Sequence, residues 1–389
     1  MRPPPPQGGN TSGPAKPVPR CFWNGLCCAC PLKTETDLST GDLTFSVAAL
    51  ESFARALYVA AGMDANKAAS VARLQVLTDS MGRRTHGLAM APLYLAEIAK
   101  GGMTASGTPE VVRDNGISAV WDGGYLPGLW LVEQAMEAAM PRAAKHGLTA
   151  IAIRRSHHIG CLAALVKQAA DRGFVALIAN SDPAGQRVAP YGGTEALFTP
   201  NPFAVGYPGS PNPVLVDICA SITTTSMTRQ KVAAGEQFDH PWLLDARGVP
   251  TRDPGVLENA QPRGSLQLMG GQEYGHKGFG LALMIEALSQ GLSGHGRKDA
   301  PARWGGNVFL QVIDPELFAG REAFGEQMDH LSDRCRANRP IRDDQPVRMP
   351  GDQAARGVAS AASDGIALDA PTWQALTEWA TRLEVALPA

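Results

Sequence analysis

The feature that most constrains the fold is the alternation of strand-like and helix-like segments along residues 117–313. Residues 148–153 and 174–179 are short apolar runs with β-branched side chains, which is typical of buried strands. Residues 129–145 and 161–172 instead repeat apolar side chains at helical spacing. The same criteria predict further strands at 117–121, 214–218 and 308–313, and a helix after Gly278. Alternation of this kind predicts an α/β fold, in which helices cover a sheet.

The segments on both sides of this region favour helices. Apolar side chains within 47–61 fall on one face of a predicted helix, and Asp64 can cap a second one. A third helical stretch covers 88–100, and helical and loop segments return after residue 316. We therefore divide the chain into a tail at 1–42, an N-terminal helical part at 43–112 that packs with the C-terminal part, an α/β domain at 113–300, and a C-terminal α/β and helical part at 301–389.

The first 42 residues differ in composition from the rest of the chain. They begin MRPPPPQGGNTSGPAKPVPR, a proline-rich sequence of low complexity that predicts disorder and lacks the apolar core of a signal peptide. Four of the seven cysteines follow in CFWNGLCCAC, between Cys21 and Cys30. Their C-x5-C-C-x-C spacing matches no common zinc motif. We predict no metal centre, and a metal-binding module here stays an alternative that would be additional to any other function.

Charge and hydropathy exclude two classes of partner. Lys and Arg number 35 against 37 for Asp and Glu, a formal net charge of -2, so the chain lacks the basic field that nucleic acid requires. It also lacks a run of about 18 apolar residues, as a membrane span would need. The remaining three cysteines are scattered, which favours a reducing compartment. We expect a cytoplasmic protein whose partner is a small molecule.

Short catalytic motifs are mostly absent. The chain contains no G-x-G-x-x-G, the loop that opens the dinucleotide site of a Rossmann fold. Walker A, H-E-x-x-H and G-x-S-x-G are missing as well. From these motifs alone, the sequence indicates an α/β protein with histidines in its loops.

The first candidate for chemistry is the histidine pair His157-His158, which follows a predicted strand and precedes a predicted helix. Loops in this position often bind ligands, because the helix N-terminus offers free N–H groups beside the sheet. A histidine there can exchange a proton near neutral pH. The alternative is that one of the pair caps the helix or fills space.

Other candidates are weaker when each is taken alone. His86 could polarise a carbonyl group, and Tyr94, eight residues later, would share its face if the segment were helical. Lys277 lies in a glycine-rich stretch at a predicted helix start, which suits a phosphate or carboxylate. Asp217 and Ser181 end predicted strands, where they could contact a ligand. For each residue a purely structural role stays open, such as a cap, a turn or a buried core position.

Taken in order, several segments resemble the malate/L-lactate dehydrogenase family, which includes ureidoglycolate dehydrogenase, sulfolactate dehydrogenase and piperideine-2-carboxylate reductase. An ordered set is far more specific than any single motif, and it covers residues 44–315. The segments are RRTHGLAMAPLYLAEIAKGGM, IAIRRSHHIG, NSDP, PYGG, NPFAVGYP, LVDICAS, LLDARGVPTRDP and GHKGFGLALMIEALSQGLSG.

The resemblance implies a fold, a cofactor and roles for individual residues. The family has its own mixed-sheet α/β fold, which is not a Rossmann fold, and is typically a homodimer whose active site is completed by both subunits. By position in the matching segments, His158 is the expected proton donor and acceptor, while His86 and Tyr94 lie at the substrate. The 113–300 domain then binds NAD or NADP, with NAD favoured, through Ser181, Asp217, Ile218, Cys219 and Lys277.

The implied reaction is hydride transfer between NAD(P)H and a 2-oxo acid, or its reverse from a 2-hydroxy acid; a cyclic imino acid is a further candidate. This chain departs from the family at Met90, where an arginine often grips the substrate carboxylate. Methionine cannot form that bidentate pair. Arg83, Arg84 or Arg155 would have to replace it, or the substrate lacks a carboxylate there. The alternative function is a cofactor-binding protein of the same fold with lost or altered catalysis.

Overall fold

The computed structural model describes residues 43–388, so our predictions for residues 1–42 lie outside the described residues. The helices of the described part are α1 (Val47–Ala60), α2 (Ala65–Ser80), α3 (Ala91–Ala99), α4 (Gly128–His146), α5 (Leu162–Ala170), α6 (Thr225–Ala233), α7 (Gly255–Glu258), α8 (Gly271–Glu286), α9 (Arg321–Arg336), α10 (Asp352–Asp364) and α11 (Ala370–Arg382). The strands are β1 (Leu43–Phe45), β2 (Glu110–Asp114), β3 (Ser118–Asp122), β4 (Leu148–Ser156), β5 (Val175–Ser181), β6 (Pro202–Tyr207), β7 (Val214–Cys219), β8 (Leu243–Leu244), β9 (Pro250–Thr251), β10 (Ser265–Leu266), β11 (Gly306–Ile313) and β12 (Ile366–Leu368).

A seven-stranded sheet with the order β2-β3-β4-β11-β5-β6-β7 forms the centre. Its strands β3 and β4 run parallel, since α4 crosses over between them, and the other neighbours are antiparallel. The predicted mixed α/β fold without a Rossmann sheet is confirmed.

Helices cover both faces of this sheet, because side chains alternate along each strand. On β11, Val308, Leu310 and Val312 belong to the core that α1, α2, α4 and α5 complete. Phe309, between them, belongs to a second core on the opposite face, beneath Ala282 and Ile285 of α8. Both faces of the central strand are therefore buried, which explains its nearly continuous apolar sequence.

The chain segments that we predicted as separate parts contribute strands to the same sheets. Strand β11 follows residue 300, yet it lies in the middle of the sheet, between β4 and β5. Strand β1, at the start of the described chain, pairs with β12 near its end. The division at residues 112 and 300 stays a prediction.

Most predicted elements are found, with three informative differences. Helix α8 begins at Gly271 rather than after Gly278, because packing stabilises a glycine-rich first half that has little helix propensity. Strand β6 (Pro202–Tyr207) was not predicted, and its proline stands at the first position, where strands tolerate it. Strand β2 was missed, since its exposed side chains leave no apolar pattern. Within 43–388, no helix is long and apolar enough to span a membrane.

Candidate active site

The loop between β4 and α5 carries His158 against the end of α4. Gly128, the first residue of α4, packs so tightly that a Cβ there would lie 2.2 Å from the carbonyl oxygen of His157 and 2.6 Å from that of His158. The imidazole Nδ1 of His158 lies 2.7 Å from the Tyr94 hydroxyl and 3.3 Å from the Gly160 amide nitrogen. The ring is therefore held on its Nδ1 side, which leaves Nε2 as the nitrogen for chemistry.

Tyr94 reaches His158 from α3 and is 1% exposed. Our sequence argument assumed one continuous helix from His86 to Tyr94, but residues 84–86 and 88–90 form two short 3-10 turns before α3 begins. The two side chains still converge, because both lie against the His158 ring, at centroid distances of 6.0 Å for His86 and 5.9 Å for Tyr94. The observed contact of the Tyr94 hydroxyl is with His158, so the tyrosine acts on the imidazole.

His86 completes a pair of stacked imidazoles, with 23° between its ring plane and that of His158. Its Nδ1 lies 2.8 Å from the Thr85 hydroxyl, so this threonine orients the ring. Burial lowers the pKa of His86, the Asp217 carboxylate opposes that shift, and the Arg83 guanidinium adds to it.

Both imidazoles of the pair are neutral at neutral pH. Burial, together with the neighbouring rings of His86 and His157, holds the pKa of His158 well below 6.5. A neutral imidazole has a free lone pair and can accept a proton. Burial raises the pKa of Tyr94, so its hydroxyl remains protonated. The free site thus presents a base rather than a fixed cation.

His157, the other member of the sequence pair, fills space. It is fully buried, and neither of its ring nitrogens has a hydrogen-bond partner among the described residues. Its ring meets Trp304 edge-on at 4.8 Å, and burial lowers its pKa to about 3. Trp304 also lies 5.2 Å from the His158 ring, a contact that sequence reasoning missed because the tryptophan stands 146 positions later in an unpatterned loop.

Strand β7 brings Asp217, Ile218 and Cys219 to the same region. One carboxylate oxygen of Asp217 accepts the amide N–H of Ala163 at 2.9 Å, in the first turn of α5, and the Cys161 thiol at 3.6 Å. This carboxylate therefore caps the helix that follows His158, where the helix dipole favours a negative charge. Ile218 is half-buried, and the Cys219 thiol is buried within hydrogen-bond distance of the Ser221 carbonyl oxygen.

Lys277 is placed differently from the sequence prediction. Because α8 begins at Gly271, Lys277 lies in its second turn, so amides at the helix start do not surround it as expected. The side chain is exposed, with its ammonium 5.1 Å above the Tyr274 ring and no acidic group in ion-pair contact among the described residues. Gly278 lets α8 approach β7, since a Cβ there would lie 2.6 Å from Met269 backbone atoms and 2.8 Å from the Ala220 carbonyl oxygen. An unpaired ammonium thus stands near the end of β7, an arrangement that fits an anionic group such as a diphosphate.

Ser181 is fully buried, and its hydroxyl is occupied by a polar network that sequence reasoning missed. The hydroxyl donates to a carboxylate oxygen of Glu286 at 2.7 Å and accepts from the Gln290 side-chain amide at 2.9 Å. The same Glu286 oxygen accepts from Asn201 and from Arg297, each at 2.9 Å. Residues 287–291 form a π-helical turn at this point, and such turns occur frequently at functional sites. A cofactor contact at Ser181 would involve its backbone.

The side chain at position 90 also has an apolar environment in the structure. Met90 is 7% exposed and packs in the main core. Of the arginines that could replace a family arginine here, Arg155 is bound to Asp122, which also holds Arg154. Arg83 is the arginine whose charge acts on His86.

Comparison with known proteins shows the family of the chain. The family model of malate/L-lactate dehydrogenase matches residues 45–377. Hydroxycarboxylate dehydrogenase B from Escherichia coli (strain K12) is 30% identical, over 87% of this chain and 94% of its own length. The (2R)-3-sulfolactate dehydrogenase (NADP(+)) of Chromohalobacter salexigens is 32% identical, over 64% of this chain and 70% of its own length. The crystal structure of a dehydrogenase from Sinorhizobium meliloti has a TM-score of 0.76 and 29% identity, covering 87% of this chain and 98% of that chain.

These matches place the chain among the dehydrogenases, a class of oxidoreductases. More narrowly, the chain belongs to the malate/L-lactate dehydrogenase family, because the family model spans most of it. The resemblance seen in the ordered sequence motifs is thereby confirmed.

Proposed function

We propose that the protein is an NAD(P)-dependent dehydrogenase that interconverts a small 2-hydroxy acid and its 2-oxo acid, with His158 as the acid/base. The observation that carries this proposal is the neutral His158 imidazole, held at Nδ1 by the buried Tyr94 hydroxyl and stacked on His86. A base within reach of a substrate hydroxyl is what alcohol oxidation requires of the protein.

The proton steps follow from the two sides of the His158 ring. In oxidation, Nε2 takes the proton of the substrate hydroxyl, and in reduction the protonated ring returns it. Because Nδ1 accepts the Gly160 amide N–H in this structure, the ring must first change tautomer. A ring that takes a proton at Nε2 carries its own proton on Nδ1, which then donates to the Tyr94 oxygen. The Tyr94 hydroxyl can turn its proton to the His158 carbonyl oxygen, 3.4 Å away. Tyr94 therefore supports the charged ring as well as the neutral one.

A nicotinamide cofactor, when bound, supplies or takes up the hydride. Lys277 would hold its diphosphate, since its exposed ammonium lies across from β7 where Gly278 allows close packing. Ile218 and Cys219 at the end of β7 would line the adjacent surface, with Ser181 contributing backbone atoms. Both NAD and NADP are candidates, and a relative's name specifies NADP(+).

For the substrate carboxylate we propose Arg83, because its charge acts on His86, the histidine assigned to the substrate, and Met90 is apolar. Changing Arg83 to Ala should raise KM for the acid about ten- to a hundredfold, since a charged hydrogen bond is lost. The matched control is Arg55→Ala, on the exposed side of α1, which should leave KM unchanged. Equal KM values for both variants would refute the role of Arg83.

A homodimer is also proposed. Leu283 and Met284 on α8 and Leu292 just beyond it are 48%, 42% and 55% exposed, and such an apolar face is typical of a protein contact. A second copy of the chain is the expected occupant. Sedimentation should give a dimer, and Leu283→Asp should give monomer. The control Leu317→Asp, at a turn that is 52% exposed, should remain dimeric; a monomeric native protein would contradict the proposal.

The deciding experiment follows NADH and NADPH absorbance at 340 nm against a panel of 2-oxo acids, with cyclic imines as a separate arm. His158→Ala should lower kcat at least a hundredfold while NADH binding, measured by cofactor fluorescence, persists. His330→Ala, an exposed histidine on α9, is the matched control. Near-normal turnover in His158→Ala would refute its role. Cofactor binding without turnover of any substrate would instead support a protein that has lost catalysis.

A further inference from the structure

Asp79 is a buried carboxyl group near the end of α2 that the proposed mechanism does not use. It is 7% exposed, and the loop of residues 84–88 wraps around it. Its Oδ2 accepts the amide N–H of Leu88 at 2.8 Å. A Cβ on Gly87 would lie 2.0 Å from its Oδ1, so glycine is needed at position 87 for the carboxylate to fit.

Hydrogen bonds to Thr78 and Asp79 hold the two ends of the loop that carries His86. At its start, the amide of Arg83 donates to the carbonyl oxygen of Thr78 at 3.0 Å. At its end, the amide of Leu88 donates to Asp79. His86 lies between these two anchors, immediately before Gly87. Whatever moves the Asp79 carboxylate moves the backbone beside this imidazole.

Two charged groups act on the Asp79 carboxyl besides its own burial. Burial raises the pKa of Asp79 to about 7, the Leu88 amide and the Arg84 guanidinium oppose that shift, and the Asp369 carboxylate adds to it. Arg84 belongs to the wrapped loop, and Asp369 caps α11 by accepting the amide of Thr372. Both ionisation states are therefore present near neutral pH. Because the closed loop raises this pKa, it favours the neutral carboxyl, and ionisation favours a loop that has moved and admits water to the carboxylate.

We propose that Asp79 is a positioning residue, whose ionisation sets how firmly the 84–88 loop holds His86 for substrate binding. This inference rests on the proposed function, because it assigns His86 to the substrate. Unlike the proposed function, it can be tested without substrate, by measuring the hydrogen exchange of the loop in the free protein.

The first test is hydrogen exchange by mass spectrometry on peptides that cover residues 84–93, at pH 6 and pH 8 and corrected for the chemical exchange rate. The wild-type loop should be up to about tenfold better protected at pH 6 than at pH 8, because an opening that exposes Asp79 to water is favoured once the carboxyl ionises. Asp79→Asn keeps an acceptor oxygen without the charge, so its protection should be the same at both pH values. Asp343→Asn, at an exposed position, is the matched control and should behave as wild type.

The second test separates positioning from a merely structural role. In the wild type, KM for the 2-hydroxy acid should rise up to about tenfold between pH 6 and pH 8, and in Asp79→Asn it should not change. The inference is overturned if wild-type protection is independent of pH, if Asp79→Asn shows the wild-type change, or if KM is flat while protection changes. Absence of turnover with every substrate would contradict the proposed function, whereas the exchange result would still decide whether Asp79 controls the loop.

Discussion

Replacing Gly128 with alanine should damage catalysis from outside the site. A Cβ at this position would lie 2.2 Å from the His157 carbonyl oxygen and 2.6 Å from that of His158. Cβ contacts below 3.0 Å are essentially never found, so the two carbonyl groups must retreat by about 1 Å. The backbone that retreats is the one that sets the distance of 2.7 Å between the His158 ring and the Tyr94 hydroxyl.

The size of the effect follows from that displacement. Overpacking a close contact costs about 1–3 kcal/mol of stability. A shift of about 1 Å in a catalytic group lowers the rate about a hundredfold. We therefore expect kcat to fall about a hundredfold, with a smaller change in KM, because Gly128 lies behind His158 rather than beside the substrate.

The assay is steady-state kinetics combined with urea unfolding, and Gly325→Ala provides the matched control. Gly325 lies inside α9 with open space where its Cβ would be, so alanine there should add about 0.5–1 kcal/mol of stability without altering kcat. If Gly128→Ala kept wild-type kcat and stability, the close packing of α4 on the His158 loop would have no role in catalysis, and the reasoning would be refuted.

Three further changes have defined outcomes. Tyr94→Phe should lower kcat about ten- to a hundredfold with little change in KM, since it removes the hydroxyl at His158 Nδ1; steady-state kinetics across pH would show it, and a wild-type kcat would contradict it. Asp79→Asn should gain stability relative to wild type as pH rises from 5 to 8. The pKa of Asp79 is about 7 in the folded protein against 3.8 for a solvated carboxyl, so its contribution to stability is greatest below pH 4 and up to about 4 kcal/mol is lost towards pH 7. Urea unfolding at both pH values tests this, and a constant difference would refute it. Glu286→Ala should cost about 1–3 kcal/mol, because Arg297 loses a partly buried hydrogen-bond partner, and an unchanged thermal midpoint would exclude that.

The sequence predicted the position of the His158 loop in the fold better than the contacts of that loop. The loop with His158 follows β4 and precedes α5 as expected, because a strand, a polar loop and an amphipathic helix each leave a local pattern. The contact of Tyr94 with His158 joins residues 64 positions apart, and no periodicity reports such a distance. Chemical type alone could not show that His157 is buried against Trp304 while its neighbour keeps a free nitrogen.

In the fold, too, the sequence predicted local elements but not the contacts between distant ones. The pattern of β11 predicted a strand but not its place between β4 and β5, since the partner of a strand is set by packing over long sequence separations. The network around Ser181 was equally hidden, because Glu286 lies within an apolar stretch that reads as an ordinary helix.

The position of β11 has a consequence for synthesis. Strands β4 and β5 are neighbours in the chain, yet each pairs with β11, which is made more than 120 residues after β5. Until residues 306–313 leave the ribosome, both strands present open edges that could pair with other chains. The loop with His158 at the end of β4 cannot acquire its final support before then. A nascent chain therefore depends on protection from aggregation from the synthesis of β4 until that of β11, and a truncation before Gly306 should yield insoluble protein rather than a partly active fragment.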